Sequence, residues 1–286
     1  ALIHGDLHRL LGHSAAEAPL VLQLGGSQPE KLAEAVARAA PWEFAEINLN
    51  VGCPSDRVQS GKFGACLMAE PELVASCCQA MMAETDLPVT VKCRIGIDDM
   101  DPESGLDRFV DIVAAAGVSV FYLHARKAWL RGLSPKENRS IPPLDYDRAR
   151  RLAARCGDLS IILNGGLKKA DQASVEMPGF DGIMIGRAAY RTPYVLAEMA
   201  QQIFGTALPQ RYQVAQAMAE YANSMTTTGV PLHSITRHML GLYAGQSGAK
   251  YWRRQLGEMA RNADDAGNFI IDTASFCENL AAKHAA

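Results

Sequence analysis

The chain has 286 residues, 48% of them hydrophobic and 21% charged, with a mean hydropathy of −0.04 and a net charge of −3. That is the composition expected of a soluble globular protein large enough for one barrel and a small second domain. No apolar run approaches the ~18 residues of a membrane span, no charged-then-apolar leader opens the chain, and a pI of about 6.2 gives no global basic field. Cysteines at 53, 66, 77, 78, 93, 156 and 277 form no CxxC pair and no paired framework, so neither zinc nor disulfides are expected and a reducing cytoplasm suits them.

In chain order, the first residues, Ala1–Asp6, read like the middle of a domain. Pro19–Gly26 is a short buried strand stopped by paired glycines. Ser27 and Glu30 have the spacing of a capping box for a helix whose apolar face is Leu32, Ala35, Val36 and Ala39. Ala45–Val51 alternates as a strand and ends in Gly52-Cys53-Pro54, followed by a glycine-punctuated loop, Gln59–Ala65. A helix over Pro71–Ala83 leads to a strand over Val89–Arg94, and the unit repeats with a helix over Leu106–Ala116 and a strand over Val118–Arg126. A polar loop, Lys127–Pro143, precedes a helix over Tyr146–Cys156, a strand over Ser160–Asn164, a short helix and a strand over Gly182–Ile185. Alternation of strands with helices predicts a parallel sheet. Six strands are predicted, where a closed barrel of this type has eight. From about Leu208 the pattern is helical only, over Tyr212–Thr227, Leu232–Tyr243, Ser247–Asn262 and Phe269–Ala282. A barrel domain over 1–205 and a helical domain over 206–286 are therefore expected.

The polar residues fall where the strands stop: Gln23, Asn50 with Cys53, Lys92 with Arg94, His124 with Arg126, Asn164-Gly165-Gly166, and Gly186-Arg187. In barrels of this kind the carboxyl ends of the strands carry the chemistry. A strand-end lysine is more often a solvated tip and a single cysteine a small buried hydrophobe, but six strands ending alike point to a site. Asn164-Gly165-Gly166 and Gly186-Arg187 follow the last two strands, where such folds bind phosphate through backbone N–H groups, which suggests a phosphate-bearing cofactor. Lys92/Arg94 and His124/Arg126 are i, i+2 pairs, so each pair points to one side of its strand.

With these motifs the chain resembles the tRNA-dihydrouridine synthases. The likeness lies in Asn48-x-Asn50-x-Gly52-Cys53-Pro54-Ser55, Lys92-x-Arg94-Ile95-Gly96, His124-Ala125-Arg126-Lys127-Ala128, Asn164-Gly165-Gly166 and Gly186-Arg187-Ala188-Ala189. Gly132–Arg139 and Gly245–Arg254 are similar to the A-type bacterial branch. The resemblance implies a (β/α)8 flavin barrel followed by a helical domain, with FMN as cofactor and NADPH as reductant of a uridine at position 20 or 20a of the tRNA D-loop. It makes Gln23, Lys92, His124, Asn164, Gly165, Gly166, Gly186 and Arg187 FMN-binding residues. It makes Cys53 the proton donor and places Asn50, Arg94 and Arg126 against the uracil. The family begins with two further strands that are absent here, so the sequence is expected to be an N-terminally truncated one.

The target base must be swung out of folded tRNA, and cationic side chains in the helical part are expected to supply the energy through phosphate contacts. Arg237, His238, Arg261 and above all Lys250, Arg253 and Arg254 are the candidates, with Tyr251 and Trp252 between them suiting sugar contacts. A solvated helix face is the bland reading of the same set. A monomer that binds tRNA and NADPH, with no metal and no membrane association, is expected. The competing readings are a flavin barrel reducing a small pyrimidine, and a non-catalytic tRNA-binding protein if the two strands are missing in the cell. Bound flavin separates these: its presence excludes the binding protein.

Overall fold

The structure, a computed structural model, describes residues 1–55 and 61–285. Residues 56–60, which include the start of the expected Gln59–Ala65 loop, lie outside the described residues. The chain divides into two compact units, one of Ala1–Gly166 with Met177–Met184, the other of Leu167–Glu176 with Ile185–Ala286.

The first unit is an α/β structure around a six-stranded sheet. Its strands are β1 (Val21–Leu24), β2 (Glu46–Val51), β3 (Val89–Arg94), β4 (Val120–His124), β5 (Ser160–Asn164) and β6 (Gly182–Met184). Each strand pairs in parallel with the next in sequence, in the order β1-β2-β3-β4-β5-β6, the arrangement of a TIM-like barrel wall. The helices between them are α1 (Leu7–Leu11, before β1), α2 (Pro29–Ala39), α3 (Pro71–Met82), α4 (Ser104–Ala115) and α5 (Tyr146–Arg155). Helices α2 and α3 both begin with proline, whose fixed φ and missing N–H suit the first helical position. That proline places Gln28 at the N-cap of α2, without a side-chain cap, so the capping box expected from Ser27 and Glu30 does not form. Leu32, Ala35, Val36 and Ala39 are its buried face, as the periodicity predicts.

The period of two divides the sheet's side chains by physics. The odd-numbered residues Leu49, Val51, Val91, Cys93, Phe121, Leu123, Ile161 and Leu163 are fully buried in one hydrophobic core with Val74 and Met81 of α3 and Phe109 and Val113 of α4. The even-numbered residues share the opposite face, and there the sequence places Asn48, Asn50, Thr90, Lys92, Tyr122, His124 and Asn164.

The second unit holds α6 (Ala170–Glu176), α7 (Arg187–Arg191), α8 (Tyr194–Phe204), α9 (Arg211–Thr227), α10 (Leu232–Thr236), α11 (Ala249–Arg254) and α12 (Ala266–Ala285). Its core joins Ala215, Ala219 and Ala222 of α9 with Ile270, Ala274 and Cys277 of α12, the alanines permitting close helix approach. Helices α7 and α8 have no side-chain N-cap and were not expected from the sequence, although α8 ends at Gly205, a glycine C-cap with φ of 69°. Two predicted helices are shorter than their periodicity. After Thr236 the chain tightens into i→i+3 bonds, such as Met239 N to Thr236 O at 2.9 Å, so no helix reaches Tyr243. The segment to Asn262 is α-helical only over Ala249–Arg254, then a π turn over Gln255–Met259 and a 3-10 turn over Ala260–Asn262. Among the described residues no helix is long and apolar enough to cross a membrane.

Asn48 is 2% exposed and bonds on both sides, accepting from Gln23 Nε2 at 2.8 Å and donating to Thr90 Oγ1 at 2.8 Å. Asn48→Ala strands both partners inside the sheet face and should lower stability by about 1–3 kcal/mol in urea unfolding.

Candidate active site

The inward polar face becomes a connected network. Gln23 donates to Asn48, Asn48 donates to Thr90, and the Thr90 hydroxyl donates to Glu46 Oε1. The Tyr122 hydroxyl donates to the other carboxylate oxygen, Glu46 Oε2, at 2.9 Å. Burial, then the carboxylate itself, pushes the Tyr122 hydroxyl up to about 12, so it stays a donor throughout the physiological range. The strand-end reading did not find Glu46, Asn48, Thr90 and Tyr122 as a unit. The signal was there, in polar residues spaced by two along three adjacent strands.

Above this network lie the strand ends. Lys92 Nζ donates to Asn164 Oδ1 at 2.9 Å, and Asn164 Nδ2 donates to the Met184 carbonyl at 2.8 Å, so two predicted site residues meet directly. Burial lowers the Lys92 ammonium to about 8; Cys93 opposes that shift and Arg94 adds to it. Gly165 and Gly166 follow with φ of 111° and 75°, and a Cβ at Gly165 would sit 2.4 Å from His124 Cδ2. Only glycine therefore lets the His124 ring lie against this turn. Tyr146 Oη fixes the turn by donating to the Gly165 carbonyl at 2.6 Å.

Cys53 stands on a turn that Asn50 makes. Asn50 Oδ1 accepts from the backbone N–H groups of Gly52 at 3.0 Å and Cys53 at 3.1 Å, which commits the oxygen of that amide to the loop. The half-buried thiol donates to Ser55 Oγ at 3.5 Å, and the Cys53 carbonyl accepts from Ala65 N at 2.9 Å.

Arg94 is 2% exposed and bonded to backbone rather than to carboxylate. Its Nε donates to the Gly52 carbonyl at 2.8 Å, and its Nη1 to the carbonyls of Lys127 at 3.0 Å and Asn138 at 3.1 Å. Burial lowers its pKa to about 10; Cys53 nearby opposes that shift, while Arg139 and Arg126 reinforce it. Arg126 Nη1 donates to the Pro142 carbonyl. Asn138, fully buried, is a residue that sequence reasoning missed, because nothing in a polar loop marks one asparagine as the interior one. Its Oδ1 accepts from Trp129 N at 2.8 Å and its Nδ2 donates to the carbonyls of Trp129 at 2.8 Å and Leu133 at 3.1 Å.

The structure thus brings together Gln23, Asn50, Cys53, Lys92, Arg94, His124, Arg126, Asn164, Gly165 and Gly166 on or beside the strand ends of the first unit. Gly186 and Arg187 belong to the second unit, where Gly186 is the exposed N-cap of α7. Lys250, Arg253 and Arg254 lie there too, all exposed on α11. Between them Trp252 is fully buried, its Nε1 donating to the Met239 carbonyl at 2.9 Å, and Tyr251 packs on Phe276 with ring centroids 4.1 Å apart. The aromatic residues between the cations are core and packing residues, and the sugar contacts expected of them are not what Trp252 makes. Among the described residues no group of three or more His, Cys, Asp and Glu could hold a metal ion.

A parallel sheet that aligns a cysteine turn, a buried lysine, a histidine and a paired-glycine turn at its strand ends is the frame of a cofactor-dependent enzyme. Residues 3–279 match the family model described as Dihydrouridine synthase (Dus), and the chain belongs to that family of flavin-dependent oxidoreductases. It is 52% identical over 263 residues to the tRNA-dihydrouridine(20/20a) synthase of Vibrio parahaemolyticus, covering 91% of this chain and 80% of that one. Similar relatives bear the same name in Shewanella oneidensis, 52% identical over 276 residues, and Xanthomonas campestris, 49% over 275, each match covering 96% of this chain and 82% of the relative.

Lys92 gives a pH prediction. With its folded pKa near 8 and its unfolded value at 10.5, the unfolded chain binds more protons between these limits. Burying Lys92 therefore costs stability at neutral pH, and that cost fades as pH rises from about 8 toward 10.5. Urea unfolding of wild type and Lys92→Met across this range should show the wild type gaining on the variant.

Proposed function

We propose that this chain reduces the 5,6 double bond of a uridine in the D-loop of tRNA, at position 20 or 20a, with FMN as cofactor and NADPH as reductant. The observation that carries the reading is the Cys53 thiol held on the Asn50 turn, beside the buried cation of Arg94 and in line with Lys92 and His124. The names of the relatives add the substrate.

The residues fit a flavin nucleotide. Lys92 is a buried ammonium whose lowered pKa marks the cost of holding a cation there, and an anionic cofactor offsets that cost. The Gly165–Gly166 turn, with no Cβ and with His124 against it, offers backbone N–H groups to a phosphate. Gln23, Lys92, His124, Asn164, Gly165, Gly166, Gly186 and Arg187 would hold FMN. When bound, the flavin supplies the hydride that C6 of the base receives.

The chain's own residues complete the reaction. Lys92 balances the negative charge that reduction brings to the site. Cys53 Sγ delivers its proton to C5, and the thiolate left behind lies near the Arg94 guanidinium. Asn50, Arg94 and Arg126 would orient the uracil, with Arg94 also fixing the turn on which the thiol stands. The helical segment 206–286 would bind the tRNA through Lys250, Arg253 and Arg254. Arg254 is 3.7 Å from Glu258, both exposed, a pair weak enough for a phosphate to displace.

Two outcomes are expected. Cys53→Ala should keep FMN and its reduction by NADPH while dihydrouridine formation falls by about 10²–10⁴-fold, since only the proton donor is lost. Replacing Lys250, Arg253 and Arg254 together by alanine should flatten the slope of log K for tRNA against log salt by about 2–3 units and leave NADPH-driven flavin reduction unchanged.

A further inference from the structure

The loop after β4 is a built surface that the proposed reaction leaves unused. Between Lys127 and Pro143 it carries Lys127, Arg131, Lys136 and Arg139 against a single acid, Glu137. Trp129 remains 39% exposed and Ile141 58% exposed, while Arg131, Lys136 and Arg139 are all exposed.

The loop is nevertheless held firmly. The fully buried Asn138 bonds both backbone groups of Trp129. A parallel bridge joins Ala128 to Ile97 of the preceding loop, Leu130 N donates to Asp98 Oδ1 at 2.7 Å, and Lys127 Nζ donates to the Met100 carbonyl at 2.7 Å. That ammonium also lies 5.8 Å from the centroid of the Trp129 ring, over its face. Arg94 then ties the loop to the thiol turn, since the same guanidinium bonds the carbonyls of Lys127, Asn138 and Gly52. The exposed ring is thus fixed relative to Cys53.

We propose that this loop is a second tRNA contact, in which Trp129 stacks on a base next to the extruded uridine while Arg131, Lys136 and Arg139 meet the flanking phosphates. The inference rests on the function proposed above and adds to it a recognition element in the first unit. Extruding a nucleotide breaks its stack and leaves the neighbouring base with one open face. A preformed aromatic plate restores that stack without reading sequence, and cations at its rim track the backbone. Asn138 fixes the backbone that carries Trp129 and the Lys127 ammonium lies over its ring, which reduces the ordering left to binding.

The test uses the full chain and an unmodified D-loop-containing tRNA, with affinity measured at several salt concentrations. Trp129→Ala should weaken binding by about 5- to 150-fold with an unchanged salt slope, because stacking releases no counterions. Trp129→Phe should restore most of the affinity, which a purely structural role for the indole would not predict. Replacing Arg131, Lys136 and Arg139 together by alanine should instead flatten the salt slope by about 2–3 units. A direct readout is available, because Trp252 is buried and Trp42 half-buried among the three tryptophans: tRNA should quench wild-type indole fluorescence, and Trp129→Phe should abolish most of that quenching. Wild-type affinity in Trp129→Ala, or quenching that survives in Trp129→Phe, overturns the inference alone. A wild-type chain that does not bind tRNA overturns the proposed function and this inference with it.

Discussion

A guanidinium taken out of water has to find its acceptors inside the protein, and Arg94 finds them in three backbone carbonyls from two stretches of chain. Gly52 is the residue before the thiol, Lys127 begins the long loop after β4, and Asn138 lies deep in that loop. Because none of these partners is a carboxylate, the cation is not neutralised where it sits. It is held by dipoles, at the expense of a lowered pKa, and keeps its charge for whatever anion comes near Cys53. Carbonyl anchoring also makes the contact geometric. The turn bearing the thiol and the loop bearing Trp129 cannot shift independently without breaking a buried charged hydrogen bond, among the costliest losses available to a protein.

The same division of labour runs through the sheet. One face of each of β2, β3, β4 and β5 is hydrocarbon, packed to exclusion of water, and supplies the stability. The other face is a chain of donors and acceptors from Gln23 through Asn48 and Thr90 to Glu46 and Tyr122. A buried polar network is favourable only when every member is satisfied, and here the bonds cross from β1 to β2 and from β2 to β3, with Tyr122 of β4 reaching past β3 to Glu46. The network's direction matters as well as its existence. Thr90 and Tyr122 both donate to Glu46, so Thr90 is left to accept from Asn48, which leaves Asn48 Oδ1 to accept from Gln23. The carboxylate therefore orients the amide of Asn48 on its own strand and, through it, that of Gln23 on the neighbouring strand.

How much of this was legible follows from which interactions are local. Strands β3 and β5 begin and end at the predicted residues, because a short apolar run stopped by polar and glycine residues is written in the chain itself. The apolar face of α2 was legible for the same reason, while its N-cap was not, because Pro29 outranked the Ser27–Glu30 spacing. Leu232–Tyr243 has helical periodicity, yet its second half turns tightly, and close packing explains it: a Cβ at Gly241 would lie 2.0 Å from the Arg191 carbonyl. Trp252 looked like an RNA-facing aromatic between cations, and helical spacing alone could not say which side of α11 faces the core. The cysteine turn, the Lys92–Asn164 pair and the glycine turn were visible as strand-end residues. Asn138 and Glu46 were not: Glu46 is bonded by residues 44 and 76 positions on, and Asn138 is bonded by Arg94, 44 positions back, so only the fold brings these partners together.

Lys92 shows why such a site exists at all. Among the described residues its ammonium bonds to the Asn164 amide oxygen, and burial lowers its pKa from 10.5 to about 8. A methionine of similar length would remove that desolvation cost and give a more stable sheet. The chain instead keeps a cation where hydrocarbon would serve folding better, at the end of a strand, one hydrogen bond from the residue that opens the Gly165–Gly166 turn. Stability is surrendered at the place where an anion would restore it, and the hydrophobic layer on the other face of the same strands is what makes that surrender tolerable.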